Sequence, residues 1–383
     1  MAASSDRAAE SNLDSETNHL LLMEIDHVIP TLTFSARTGM LLTAALLTST
    51  LATAGEPSRV PLVLASTNNA TGNTVAVFEL RTTGTPTLTL AQLVPTGGNG
   101  GAAGDAGILQ FKDGEGAVAN FGSNTVTRLK RSYNGISVDG TIQLAPGCTQ
   151  PDSVALSYDH LFVVGATCAE SFTWPEGYHE AASAPIKIPD ATAAQIAVGK
   201  TWAAVTLKSG SVLNLPLAHD GGLSTQSSTI TLPSDANNTP FGAAFWDDTL
   251  GFEPAHSVDS FALVTAAGQV YPVVGPPVFP ANAPCWLAKG RGNIWYAGNS
   301  PGQAISIFFS DSQGGVFYKS VPVPGVVTDL STSRDGRWLA ALYTADGSGF
   351  VTVFSVDDQG DLTLVATSSP IGAASFCGVA FSQ

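Results

Sequence analysis

A ring of seven four-stranded antiparallel sheets, a β-propeller, is the all-β fold that this 383-residue sequence predicts. Three observations carry the prediction. The composition is that of strands and turns, with 39 Gly, 23 Pro, only 12% charged residues and no long stretch of helical periodicity. A hairpin-bearing unit recurs along the chain at a period of roughly 40–50 residues, the spacing of propeller blades. The two chain ends supply complementary parts of one further unit.

The clearest unit contains STSRDGRWLAALY, Ser331 to Tyr343, where Asp335-Gly336 is a favoured turn pair between apolar runs. Relatives of it start near Ala106, Asp152, Ala193, Phe241, Cys285 and Val327. Each opens on a short apolar strand, turns, and continues through a second and third strand, usually with a fourth. One such sheet cannot bury both of its faces, whereas sheets stacked face to face around an axis can. At the ends, FCGVAFSQ from Phe376 reads as a first strand with nothing after it. PLVLAS, NTVAVFEL and LTLAQLV, within residues 61–94, read as strands two to four with nothing before them. Joined, they make the seventh blade and close the ring.

Residues 1–39 are polar and acidic and read as a disordered extension or a mis-assigned start. Residues 40–54 read as a signal peptide: an apolar run follows Arg37, and Ala52-Thr53-Ala54 is a small-x-small site, so cleavage falls before Gly55. The propeller occupies 55–383. A secretory or extracellular location follows. Two sequons, at Asn69 and Asn237, and an even number of cysteines suit that route. Cys148 precedes the first strand of its unit and Cys168 starts the third, which favours a Cys148–Cys168 bridge. Cys285 and Cys377 occupy matching places in non-adjacent units, and their pairing stays open.

The net charge is −15. The one short basic run, Arg128-Leu129-Lys130-Arg131, reads as a solvated strand end, so a nucleic-acid partner is not expected. No P-loop, dinucleotide fingerprint or G-x-S-x-G elbow is present. GGNGGAAGDAG, residues 97–107, leads into a strand and reads as a flexible loop between blades. The four histidines after residue 54, His160, His179, His219 and His256, are scattered without H-x-H or H-E-x-x-H spacing. No cofactor or metal is expected, and the partner expected is an apolar small molecule.

Several segments resemble the lactonase-like, carboxymuconate-cyclase-like seven-bladed propellers. They are TGGNGGAAGDAGILQFKDGEGAVANFGSNTVTRL, PDSVALSYDHLFVV, APCWLAKGRGNIWYAGN and TDLSTSRDGRWLAALY. The last is similar to that family's P-(S/T)-D-(L/I)-x-x-S-x-D-G-R-(W/F)-L unit. More narrowly, the acidic chain, signal-like segment and few titratable channel residues are similar to the fungal hetero-Diels-Alderases of tropolone-sesquiterpenoid biosynthesis. That resemblance implies a cyclase acting on an apolar terpenoid or tropolone-type substrate, without acid–base machinery. The wider family implies a lactonase or lactonising enzyme. A non-catalytic binding propeller is the third class.

In propellers a ligand sits at a mouth of the central channel, lined by starts of first strands and by loops joining second to third strands. The candidate hydrogen-bond donors there are Asn120, Asn299 and Tyr343, at the ends of second strands. The candidate substrate-binding residues are Phe241, Trp286, Phe376, Asp152 and Asp329, with His256 in the irregular loop GFEPAHSVDS. Asp152 and Asp329 stand at matching places in PDS and TDL. The mixture of aromatic walls with a few amides and carboxylates suits a largely apolar ligand.

Overall fold

The computed structural model describes residues 60–101, 106–133, 135–174, 184–234, 236–255, 260–274, 283–311, 314–372 and 376–382. The expected extension (1–39) and signal peptide (40–54) lie outside them. Seven four-stranded antiparallel sheets stand in a ring. Blade 1 is built from both chain ends. Its innermost strand is Val379–Ser382, which pairs with Leu62–Ser66, followed outward by Thr74–Arg81 and Thr87–Pro95. The first strands of blades 2 to 7 are Leu109–Lys112, Pro151–Leu156, Ala193–Val198, Pro240–Trp246, Pro284–Lys289 and Val326–Thr332. Every unit start read from the sequence falls within three residues of one of these strands.

Apolar strand residues alternate toward the two neighbouring blades, so each sheet is covered on both faces. Among the described residues, seven apolar clusters result. Phe78 and Leu342 meet between blades 7 and 1, Trp202 and Phe252 between blades 4 and 5, and Phe261 and Trp295 between blades 5 and 6. Buried indoles find partners: Trp202 Nε1 donates to the Asp248 carbonyl (3.0 Å) and Trp295 Nε1 to Ser310 Oγ (2.8 Å).

The Ser333–Arg337 turn is held by its own polar side chains. Ser333 Oγ donates to Asp335 Oδ1 (2.7 Å) and accepts from the Trp338 N–H (3.0 Å), while Gly336 takes φ +63°. Blade 3 repeats this turn with Ser157 and Asp159, whose side chains lie 3.1 Å apart.

Cys148 and Cys168 form a disulfide. It ties the segment entering blade 3 to that blade's third strand. Cys285 and Cys377 are thiols. The bridge closes a short loop, so Cys168→Ser is expected to cost about 3 kcal/mol, by the entropy of the open chain. Thermal melts with and without reductant check this, and the variant should be insensitive to reductant.

The glycine-rich loop departs from expectation. Over Gly97–Gly101 it is held by hydrogen bonds and close packing at Gly98 and Gly100; residues 102–105 lie outside the described set. The Gly98 carbonyl accepts from the Asn73 N–H (2.8 Å), the Gly100 N–H donates to the Asn69 carbonyl (2.8 Å), and the Gly101 N–H to Asn68 Oδ1 (3.0 Å). A Cβ on Gly98 would stand 2.6 Å from Asn120 Cγ. Glycine is needed here for close approach, the second use of that residue besides turn flexibility. Gly98→Ala is expected to lower stability by about 1–3 kcal/mol, an overpacking cost, read as a lower denaturation midpoint at unchanged m-value.

Candidate active site in the central channel

The first strands line a central cavity of about 360 Å³. Counted back three residues from the last paired residue of each first strand, one position per blade faces the same level of the ring. These positions are Val379, Leu109, Ser153, Gln195, Ala243, Trp286 and Asp329, for blades 1 to 7. Of the seven, Asp329 alone is ionisable. Gln195 and Asp329 both line the cavity, with Gly107 near the same end. Its walls mix polar groups with apolar side chains, among them Val154, Ile196, Ala243, Leu287 and Ala380, and the rings of Phe111 and Phe381 from adjacent blades.

A β-bulge sets this level. In blade 7, Val327 pairs with Tyr343 and Asp329 with Leu342, so Thr328 is the extra residue. In blade 3, Pro151 pairs with Gly165 and Ser153 with Val164, so Asp152 is the extra residue. Asp329 therefore corresponds to Ser153, and Asp152 sits one step earlier, in the bulge, buried and away from the cavity lining.

Two side chains of this level reach across to the next blade. Gln195 Oε1 accepts from the Ala243 N–H (2.6 Å), and Asp329 Oδ2 accepts from the Val379 N–H (2.8 Å). Asp329 Oδ1 accepts from the N–H of Leu330 (2.8 Å). Burial dominates the Asp329 carboxyl all the same. It is pushed up to about 7 by desolvation, against the opposing pull of the two N–H donors.

The other expected site residues do not line the cavity. Asn120 is fully buried, and its amide is used on all sides. Its Oδ1 accepts from Thr96 Oγ1 (2.8 Å) and Asn73 Nδ2 (3.1 Å), and its Nδ2 donates to Thr127 Oγ1 (2.8 Å) and Thr125 Oγ1 (3.2 Å). Asn299 is fully buried and donates to Ser306 Oγ (2.9 Å). Tyr343 is stacked on Phe350, with centroids 5.3 Å apart, and burial pushes its phenol up. Phe241 meets Trp286 edge to face at 5.4 Å, and the Trp286 indole donates to the Val327 carbonyl (2.7 Å). Phe376 is buried against Gly349, where a Cβ would fall 2.1 Å from its ring. These side chains belong to the packing between blades. His256 lies outside the described residues. Asp329 is the one expected site residue that faces the cavity.

At the opposite end, where first strands turn into second strands, the lining includes Lys112, Asp113, Lys289 and Arg334. None of these was singled out from the sequence. The available signal was positional, since Lys112, Lys289 and Thr332 each end a first strand. The Lys289 ammonium donates to the carbonyls of Gly290 (2.9 Å), Gly292 (2.6 Å) and Ile294 (3.2 Å), and burial pushes it down to about 8. Among the described residues, one group of thiol and carboxylate donors has the proximity of metal ligands: Cys148, Cys168 and Glu170, away from the channel. Its two sulfurs are joined in the disulfide. Among the described residues, the strand-start end of the channel offers one carboxyl, Asp329, and one carboxamide, Gln195, fewer than the three or four converging ligands that hold a resident metal.

No family model and no curated protein matches this chain. Solved structures do. A periplasmic gluconolactonase from Pseudomonas aeruginosa is 12% identical, with 85% of this chain and 99% of that chain covered at a TM-score of 0.61. A protein described as a putative 6-phosphogluconolactonase from Bacteroides uniformis is 14% identical, with 84% and 99% covered at 0.61. A virginiamycin B lyase from Staphylococcus aureus is 13% identical, with 73% and 94% covered at 0.51. At these identities the likeness is one of fold: the chain is a seven-bladed β-propeller.

Proposed function

We propose that the chain is a biosynthetic enzyme of the secretory route that closes an oxygen-containing ring on an apolar, carbonyl-bearing substrate in the central channel. The reaction class is the hetero-Diels-Alder cycloaddition of a terpenoid or tropolone-type substrate. The observation that carries this reading is Asp329, a carboxyl that lines the channel cavity and that burial pushes up to about 7. Gln195 makes the same inter-blade bond with a neutral carboxamide. The structural task at this level therefore does not require an ionisable group, and its presence in blade 7 points to chemistry.

In a cycloaddition of this class the electron-rich alkene adds across a conjugated carbonyl, and negative charge builds on the carbonyl oxygen. A protonated Asp329 donates a hydrogen bond to that oxygen and stabilises the charge where it develops. No proton is transferred in the balance. The walls align the two partners, and orientation alone supplies up to about 7–11 kcal/mol in favourable cases.

A second reading, opening or closing of a lactone, is supported by the lactonases among the solved structures of the same fold. There an ionised Asp329 acts as general base. The two are separated by offering the protein simple lactones, and separately a quinone-methide precursor with an electron-rich alkene, each with and without EDTA. The proposal expects one enantiomer of cycloadduct, unaffected by EDTA. Lactone opening without cycloadduct moves the assignment to the second reading. Silence on both panels, with tight binding of a protein or glycan, moves it to a binding propeller.

A further inference from the structure

The two ends of the channel differ in charge. Asp329 stands at one end, and Lys112, Lys289 and Arg334 surround the other, accompanied by Asp113. The chain has only 16 Lys and Arg residues and a net charge of −15, yet three of its cations border this opening. Two of them are occupied. Arg334 of blade 7 is ion-paired with Asp113 of blade 2. The Lys289 ammonium is spent on three carbonyls. Lys112 is exposed and makes no hydrogen bond or ion pair among the described residues, although Glu115 nearby is engaged by Lys130 at 3.6 Å. On its outer side Lys112 also borders a groove lined by Asp113, Glu115, Ser157, Tyr158, Asp159 and Trp174. That groove is acidic and repels anions.

We infer that the substrate is an apolar organic acid, ionised at neutral pH, and that Lys112 holds its charged oxygen at the hairpin mouth of the channel. The inference deepens the cyclisation reading by naming the class of substrate, and it rests on that reading for the channel being the reaction site. A charge-assisted hydrogen bond from an otherwise unpaired ammonium supplies orientation as well as affinity. It places the acidic group at one end and leaves the reacting carbonyl free to approach Asp329 at the other. Lys289 and Arg334 add positive potential around the same opening, which steers an anion toward the channel and away from the groove.

Binding of naphthoic acid and of its uncharged methyl ester to the intact chain tests this, read by quenching of tryptophan fluorescence at low and high salt. The acid is expected to bind about tenfold more tightly than the ester at low salt. High salt should shrink the difference, Lys112→Gln should abolish it and Lys112→Arg should restore it. Lys112 is exposed, so its variants should melt with the wild type. Equal affinity of acid and ester in the wild type, or a preference unchanged in Lys112→Gln, overturns the inference. The readout needs no turnover. Acid preference without cyclisation leaves this inference standing and removes the reaction proposed above, while cyclisation without acid preference does the reverse.

Discussion

Asp329→Leu, which removes the donor, is expected to lower the rate of the proposed cyclisation by about 10²–10³-fold, the range lost when one preorganised donor is removed from a developing oxyanion. Asp329→Asn, whose carboxamide N–H still donates, should keep most of the rate and lose its pH dependence. The asparagine substitution keeps size and keeps an oxygen able to accept from the Val379 N–H, as Gln195 does from Ala243. The fold should therefore persist, and circular dichroism should match the wild type. The pH dependence carries the sign. With the carboxyl pushed up to about 7, a reaction assisted by its protonated form slows as pH rises through 7, and a lactonase using its ionised form accelerates over the same interval. The same group couples to stability. Its carboxyl sits at 3.8 when unperturbed and at about 7 when folded, so the protonated form favours the folded state. That contribution is fully present below about pH 4 and is lost as pH rises through 7, with a ceiling of about 4 kcal/mol. The asparagine variant should show a flatter stability profile between those limits, measured by denaturant midpoints.

Ending the chain at Gly372 is expected to abolish cooperative folding. The removed segment holds the innermost strand of blade 1, Val379–Ser382, whose four residues are all buried, and Phe376, packed in the cluster between blades 7 and 1. Without that strand, Leu62–Ser66 loses its pairing toward the channel and blade 1 is left with three strands. Two contacts show how firmly the closure is set. The Arg131 guanidinium donates to the Ser382 carbonyl (2.9 Å) and to the Val60 carbonyl (2.8 Å), holding both chain ends at once. Asp329 binds the Val379 N–H from blade 7. The truncated chain should show no sharp thermal transition, and a peptide spanning residues 373–383, added in excess, should restore one. A truncated chain that melts like the full one would mean that the ring closes without its last strand.

The architecture was legible because a blade is a local unit. The turn pair Asp335-Gly336, the period of the hairpins and the split of one blade between the two ends are all written in contiguous residues. Cys148–Cys168 was legible for the same reason, since both sulfurs belong to one unit. The channel was only partly legible. A first strand alternates side chains between two neighbouring blades and shows the channel little more than its edge, so Trp286, Phe241 and Tyr343, which read as mouth aromatics, are core. A one-residue bulge separates Asp152 from the position of Asp329, and nothing in PDS or TDL announces which residue is extra. A slip of one residue sends a side chain to the other face. The cations at the hairpin mouth were missed because the strand-start mouth was taken as the ligand's entrance. Aligning the first strands of blades 2 to 7 from their turns, rather than from their starts, would have placed Lys112, Lys289 and Asp329 at their levels.

The most direct measurement is the rate and enantiomeric composition of the cycloadduct formed by wild type, Asp329→Asn and Asp329→Leu between pH 5 and 9, with EDTA present throughout. The account predicts a single enantiomer from the wild type, a rate that falls above pH about 7 as the buried carboxyl ionises, a flat pH profile in Asp329→Asn, whose carboxamide still donates, and near loss of the enzymatic rate in Asp329→Leu. A rate and enantiomeric excess that Asp329→Leu leaves unchanged would contradict it.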